Sequence, residues 1–128
     1  MPLFKTYILL IENKKEKKAK IGRLGRLEFR RGKYLYVGSG RQNLKARINR
    51  YLSKRKNIFW HIDYFLESGD TEIKKIWISQ TDECQIARVL SRYGKAFERF
   101  GCSDCKCNSH FFYVKNLEDI KIGGKILK

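Results

Sequence analysis

Tyr36, Arg47 and Tyr51 are the side chains whose types and spacing most directly suit phosphate chemistry. The segment Lys33-Tyr34-Leu35-Tyr36-Val37-Gly38-Ser39-Gly40 alternates as a strand does and then breaks at glycine. It runs at once into Asn43-Leu44-Lys45-Ala46-Arg47-Ile48-Asn49-Arg50-Tyr51-Leu52, a stretch of helical period. Arg47 and Tyr51 are spaced i, i+4, so they share one helix face one turn apart. Tyr36 ends the strand just before the turn, and Tyr7, in the N-terminal apolar run, offers a further phenol. Phosphodiester cleavage needs positive charge on the transition-state oxygens and a positioned nucleophile. Arginine supplies a planar, permanently charged fork, and a phenol beside a cation gives up its proton more readily than a free one. The competing reading is structural: tyrosines on strands commonly pack in cores, and arginines on basic helices commonly face water.

Glu83 opens a third helix two residues after Thr81. It can complement the helix dipole, or serve as the one carboxylate that Mg²⁺ needs when waters and a substrate phosphate complete its shell. His61, in Trp60-His61-Ile62-Asp63-Tyr64, could contact phosphate or protonate a leaving oxygen. Asp63 is two residues away and so not on its helical face. Trp60 and Tyr64 share a face and suit either base stacking or the core. Cys102-Ser103-Asp104-Cys105-Lys106-Cys107-Asn108-Ser109-His110 contains C-x2-C and C-x2-H, which are zinc-like fragments. One residue separates them, too short a link for a single unstrained tetrahedral site. A zinc on Cys105, Cys107 and His110, with Cys84 as a distant fourth ligand, is therefore weighed against buried thiols, and buried thiols are preferred. His110 joins His61 as an accessory candidate.

The elements that must hold these residues read as follows. Leu3 to Ile11 is a strand, and Glu12 to Lys20 is a charge run expected as a solvated hairpin tip or loop. Ile21 to Arg31 reads as two short strands or a hairpin, followed by the Tyr34 to Gly38 strand. Links this short favour antiparallel pairing over helical crossovers. Helices are expected from about Asn43 to Lys54, from about Asn57 to Glu67, and from a Thr81 or Asp82 cap through Val89, Leu90, Tyr93 and Phe97. Between the last two, Glu72 to Ser79 reads as a strand, and Phe111 to Val114 is another. Residues 115–128 read as a polar C-terminal extension with no firm assignment.

The chain has 128 residues, 42% of them apolar and 33% charged, which suits one folded domain, 1–128, with a core of its own. Its formal charge is +16, from 29 Lys+Arg against 13 Asp+Glu. A sequence pI near 9.9 fits a nucleic-acid footprint bound in a salt-dependent way. Lys45, Arg50, Lys54 and Arg55 on or beside the first helix are the expected contacts. No long basic amphipathic helix argues for a membrane surface. The Tyr7 to Ile11 run is too short for a signal core or a membrane span, so a cytoplasmic protein with reduced or metal-bound cysteines is expected.

Tyr36-Val37-Gly38, Asn43-Leu44-Lys45-Ala46-Arg47 and Tyr51 resemble the motifs of the GIY-YIG nuclease superfamily. Lys5-Thr6-Tyr7 is similar to its first motif, and Glu83 to its metal-binding glutamate. Gly32-x-Tyr34-x-Tyr36-Val37-Gly38-Ser39, Trp60-His61-Ile62-Asp63-Tyr64, Glu83-Cys84 and Ser103-Asp104-Cys105-x-Cys107-x-Ser109-His110 resemble more closely its DUF123 branch, a mostly archaeal group of unassigned function. Lys5 stands where the superfamily's first glycine usually stands, and the stretch from Tyr7 to Tyr36 is longer than in typical nucleases. The resemblance implies an α/β domain of the α+β type, with a central, mainly antiparallel sheet flanked by about three helices. It implies Mg²⁺ or Mn²⁺ on Glu83, Tyr7 or Tyr36 orienting or deprotonating water, and Arg47 and Tyr51 on the phosphate. The leading expectation is a metal-dependent endonuclease or phosphodiesterase acting on nucleic acid, DNA ahead of RNA. A non-catalytic nucleic-acid-binding module is the alternative, and a cysteine-centred zinc or redox protein is the third reading.

Overall fold

The strand Thr6–Asn13 (β1) is apolar on both faces, with every residue but Glu12 buried, and that pattern demands cover on both sides. In this computed structural model, which describes residues 4–40, 44–53, 61–100, 109–115 and 124–126, β1 lies at the centre of a six-stranded sheet. The other members are β4 (Gly32–Ser39), β5 (Thr71–Ser79), β6 (Gly94–Ala96), β7 (Phe111–Val114) and β8 (Lys125–Ile126), in the order β6-β7-β4-β1-β5-β8. All the pairings are antiparallel. A separate hairpin joins β2 (Lys17–Lys20) to β3 (Arg26–Phe29). The helices are α1 (Leu44–Leu52), α2 (His61–Glu67) and α3 (Glu83–Leu90). This is the α+β architecture, with its mainly antiparallel sheet and three helices, that the sequence leads one to expect.

The two-residue period of the strands sorts the core into two layers. Tyr7, Leu9, Ile11, Tyr34, Tyr36 and Phe111 point to one face, where Ile48 and Tyr51 of α1, Ile62 and Phe65 of α2, and Phe29 of the hairpin pack on them. Ile8, Leu10, Leu35, Val37, Trp77 and Phe112 point to the other, against Ala87 and Leu90 of α3. A register shift between Leu10 and Ile11 in the β1–β5 pairing lets Ile73 and Ile76, three residues apart, both reach the first layer.

Two expectations need correction. The charge run is not loop throughout: Glu12 and Asn13 extend β1, and Lys17–Lys20 pairs with β3. An edge strand needs few apolar side chains; here Ala19 sits opposite Leu27, and the Lys17 ammonium lies 5.0 Å from the centre of the Phe65 ring. The third helix stops at Leu90, short of Tyr93 and Phe97. Gly94 opens β6 so close to β7 that a Cβ there would stand 2.7 Å from the Tyr113 carbonyl oxygen, and this strand pairing outweighs the apolar helical period. The polar tail contributes β8, paired with β5 through Trp77↔Ile126 and Ile78↔Lys125. The first part of the expected second helix, residues 57–60, and Trp60 with it, lies outside the described residues.

Candidate functional site

Tyr7 stands directly opposite Gly38 in the β1–β4 ladder. Its phenol lies across that glycine, and a Cβ at position 38 would collide with the Cζ and hydroxyl of the ring. The glycine after Tyr36-Val37 is thus what lets a buried phenol lie flat on the sheet. Tyr36, two residues earlier on the same face, has its ring centre 6.2 Å from that of Tyr7. The third phenol arrives from α1: the Tyr51 hydroxyl lies 2.7 Å from the Tyr7 hydroxyl, and the ring centres are 5.4 Å apart. Arg47, one turn earlier on α1, donates from Nη1 to the carbonyl of Ser39, the last residue of β4. The i, i+4 spacing of Arg47 and Tyr51 therefore brings both to the end of β4 where Tyr7 and Gly38 meet.

Gly38→Ala is expected to drive the Tyr7 phenol out of this arrangement and to destabilise the fold by about 1–3 kcal/mol, the usual cost of overpacking. A thermal melt checks the stability. Loss of the Tyr7–Tyr51 hydroxyl contact is read from the side-chain resonances of the two rings.

Arg50 grips Asp63 of α2 through both guanidinium nitrogens, at 2.8 and 2.6 Å. The Asp63 side chain is fully buried and that of Arg50 is 18% exposed. The carboxylate raises the already high Arg50 pKa further, the hydrogen bond being the main cause. The pair ties α1 to α2, and the sequence reading missed it. The only signal for it was a carboxylate set on the otherwise apolar stripe of Phe59, Ile62 and Phe65. Arg50, expected as a nucleic-acid contact, thus spends its fork within the protein, while Lys45 is exposed on α1. Lys54 and Arg55 lie outside the described residues.

Glu83 begins α3, whose Asp82 cap accepts from the Cys84 backbone N–H at 3.0 Å. The Glu83 carboxylate is 3.7 Å from Nδ1 of His110. His110 is buried, and its backbone bridges Phe100 and Val37. Its Nε2 is 4.0 Å from the Cys84 sulfur. Burial lowers the His110 pKa, so the imidazole is neutral at physiological pH, and its contact with Glu83 is not an ion pair there. His61 is half-buried with its ring edge-on to Phe100, and burial lowers its pKa too.

Cys84, expected as a reduced thiol or distant zinc ligand, is disulfide-bonded. The expectation rested on compartment, whereas the bond depends on proximity. A disulfide sulfur offers zinc no thiolate. Cys105 and Cys107 lie outside the described residues. Among the described residues no group of three or more His, Cys, Asp or Glu side chains is gathered to hold a metal.

Desolvation is the first cause of raised pKa values at Tyr7, Tyr36 and Tyr51. Tyr51 adds to it at Tyr7, Tyr7 at Tyr36 and Tyr36 at Tyr51, with Asp63 adding at all three and Glu83 at Tyr36; Arg47 opposes it at Tyr7 and Tyr36, and the Tyr7 hydrogen bond and Arg50 oppose it at Tyr51. Tyr34, stacked between Phe111 and Tyr113, is raised likewise. These phenols are neutral hydrogen-bonding groups at physiological pH, suited to holding a water or phosphate oxygen. Unfolded phenols ionise near pH 10, and these four keep their protons beyond it. The stability they contribute is whole below about pH 10 and is lost as the pH rises towards their folded values. An alkaline titration followed by phenolate absorbance is therefore expected to show at most three of the seven tyrosines ionising before the protein unfolds.

Neutral donors, one guanidinium at the end of β4 and a carboxylate within electrostatic reach of Tyr36 form an arrangement able to hold a phosphate and a hard cation. A single carboxylate fits Mg²⁺, which keeps most of its waters. No helix among the described residues is long and apolar enough to cross a membrane. A family model described as "Domain of unknown function DUF123" matches residues 6–123. No curated protein and no solved structure matches the chain.

Proposed function

The chain belongs to the DUF123 family, and from that premise and the geometry of the phenol cluster we propose a metal-dependent nuclease of the GIY-YIG type, acting on nucleic acid in the cytoplasm, with DNA ahead of RNA. The observation that carries the reading is the 2.7 Å contact between the Tyr7 and Tyr51 hydroxyls, on the helix face that also holds Arg47. Strand packing alone asks for no such meeting of two phenols beside a guanidinium at a sheet end.

In this reading Arg47 neutralises the phosphate oxygens that gain charge as the bond breaks. Tyr51 donates to the same phosphate. Tyr7, still protonated, orients the attacking water. Its raised pKa favours this orienting role over that of a general base. Glu83 would hold the divalent cation together with waters and a substrate oxygen. When bound, the cation supplies Lewis-acid charge to the phosphate and the leaving oxygen.

The test is a cleavage screen with plasmid, branched, single-stranded and RNA substrates in Mg²⁺ or Mn²⁺, run beside Glu83→Gln. Cleavage that vanishes in the variant supports the proposal. Salt-dependent binding without cleavage in either protein moves the assignment to a non-catalytic binding module. That second reading has its own support in the +16 charge and in phenols held neutral by burial.

A further inference from the structure

At the far edge of the sheet from β1, a groove of about 510 Å³ opens beside β6 and β7. This is within the range of cavities that take up small organic groups. Its walls carry four cationic side chains, Arg30, Arg92, Lys95 and Lys115, and no carboxylate. All four are exposed, and none pairs with an acid among the described residues. Two tyrosines complete the wall. Tyr93 is 50% exposed, an unusual position for so large a ring. Tyr113 is braced from behind, stacked on Tyr34 with ring centres 5.2 Å apart. The Tyr34 hydroxyl in turn donates to the Arg30 carbonyl at 2.7 Å, so one buried ring steadies both an aromatic wall and a cationic corner. Lys95 stands opposite Tyr113 in the β6–β7 ladder, so a cation and a ring leave the same face of the sheet as neighbours. The helical period extends to Tyr93, but α3 ends at Leu90, and the Tyr93 ring stands outward in the turn that leads into β6.

Aromatic faces alternating with unpaired cations suit a ligand whose flat bases alternate with phosphates and are not already stacked on one another. A duplex would offer only its phosphates. We infer that the β6–β7 groove binds single-stranded nucleic acid, with bases on Tyr93 and Tyr113 and phosphates on Arg30, Arg92, Lys95 and Lys115. Tyr34 and Gly38 lie four residues apart on β4, so the groove stands roughly 13 Å along that strand from the Tyr7–Gly38 contact. The inference deepens the nuclease reading, in that a strand held here would present a single-stranded flank to the phenol cluster. It rests on that reading only for the class of ligand.

The test is fluorescence anisotropy of the full chain with a short labelled oligothymidine strand, at several salt concentrations. Glu83→Gln serves as the background, so that cleavage plays no part. Tyr93→Ala is expected to weaken binding about 5- to 100-fold, the range of one lost base stack. Tyr93→Phe should bind as the background protein does. Arg92→Glu with Lys95→Glu should flatten the salt dependence by about one to two phosphate contacts. Unchanged affinity in Tyr93→Ala overturns the inference. So does an equal loss for a blunt duplex, or displacement of the strand by inorganic polyphosphate at the concentration at which unlabelled oligothymidine displaces it. A failed cleavage screen with a Tyr93-dependent strand affinity would leave the groove standing and the nuclease reading fallen. Glu83-dependent cleavage with a Tyr93-independent affinity would do the reverse.

Discussion

Arg47→Ala is expected to lower the cleavage rate by about 10²–10³, the usual effect of removing one preorganised donor from the developing charge of a transition state. The fold should survive it. The side chain is half-buried at the helix surface and donates to the Ser39 carbonyl, and losing that hydrogen bond should cost about 1 kcal/mol of stability. Binding should weaken slightly, with the salt slope falling by about one phosphate contact. Arg47→Lys keeps the charge but not the fork, and should recover binding more fully than rate. The measurement is single-turnover cleavage under saturating protein, with thermal melts of the same preparations. An unchanged rate in Arg47→Ala would remove the guanidinium from the chemistry and the nuclease reading with it.

Arg50→Ala should be strongly destabilising. It leaves the Asp63 carboxylate fully buried without the fork that now holds it, an arrangement expected to cost about 3–5 kcal/mol. Against a typical domain stability of about 5–15 kcal/mol, that could unfold a large share of the protein. The pair is not symmetric. Asp63→Ala frees an arginine already 18% exposed, which can turn to water, and should cost less. Replacing both at once, as Arg50→Met with Asp63→Leu, removes the desolvation penalty together with the attraction and should come close to neutral. Urea titrations of the four proteins would show this as midpoints that order as stated with a common slope. A larger loss in Asp63→Ala than in Arg50→Ala would mean that the carboxylate supports more than its arginine, the phenol cluster being the nearest candidate.

What the sequence made legible, and what it hid, follows the range of each interaction. Arg47 and Tyr51 were readable as a pair because an i, i+4 spacing on a helix is local geometry. So was the end of α1's strand neighbour, since Gly38 and Gly40 follow an alternating run. The meeting of the Tyr7 and Tyr51 hydroxyls was not readable, because it depends on a ladder register between residues 31 apart and on where α1 settles. Asp63 was judged against His61, its neighbour in sequence, when its partner is Arg50 on another helix. The strand Lys17–Lys20 was hidden by its own charge, since an edge hairpin needs apolar residues only at alternate positions. The overlong third helix comes from taking Tyr93 and Phe97 as core on period alone, whereas the helix ends at Leu90 and Gly94 starts a strand. Cys84 was assigned a redox state from compartment, which says nothing of which sulfurs fold into reach.

The central position of β1 has a bearing on how the chain is made. Its eight residues find both their partners late: β4 begins at Gly32 and β5 at Thr71. On a ribosome adding about 5–20 residues each second, Tyr-Ile-Leu-Leu-Ile would wait for several seconds beyond the exit before its second neighbour exists. A bare apolar strand of that kind is an aggregation hazard. The lysine-rich stretch that follows, Lys14 to Lys20, supplies the flanking charge that keeps such segments apart. The run that looks like surface decoration in the finished fold would, during synthesis, set like charges between nascent chains and oppose their pairing.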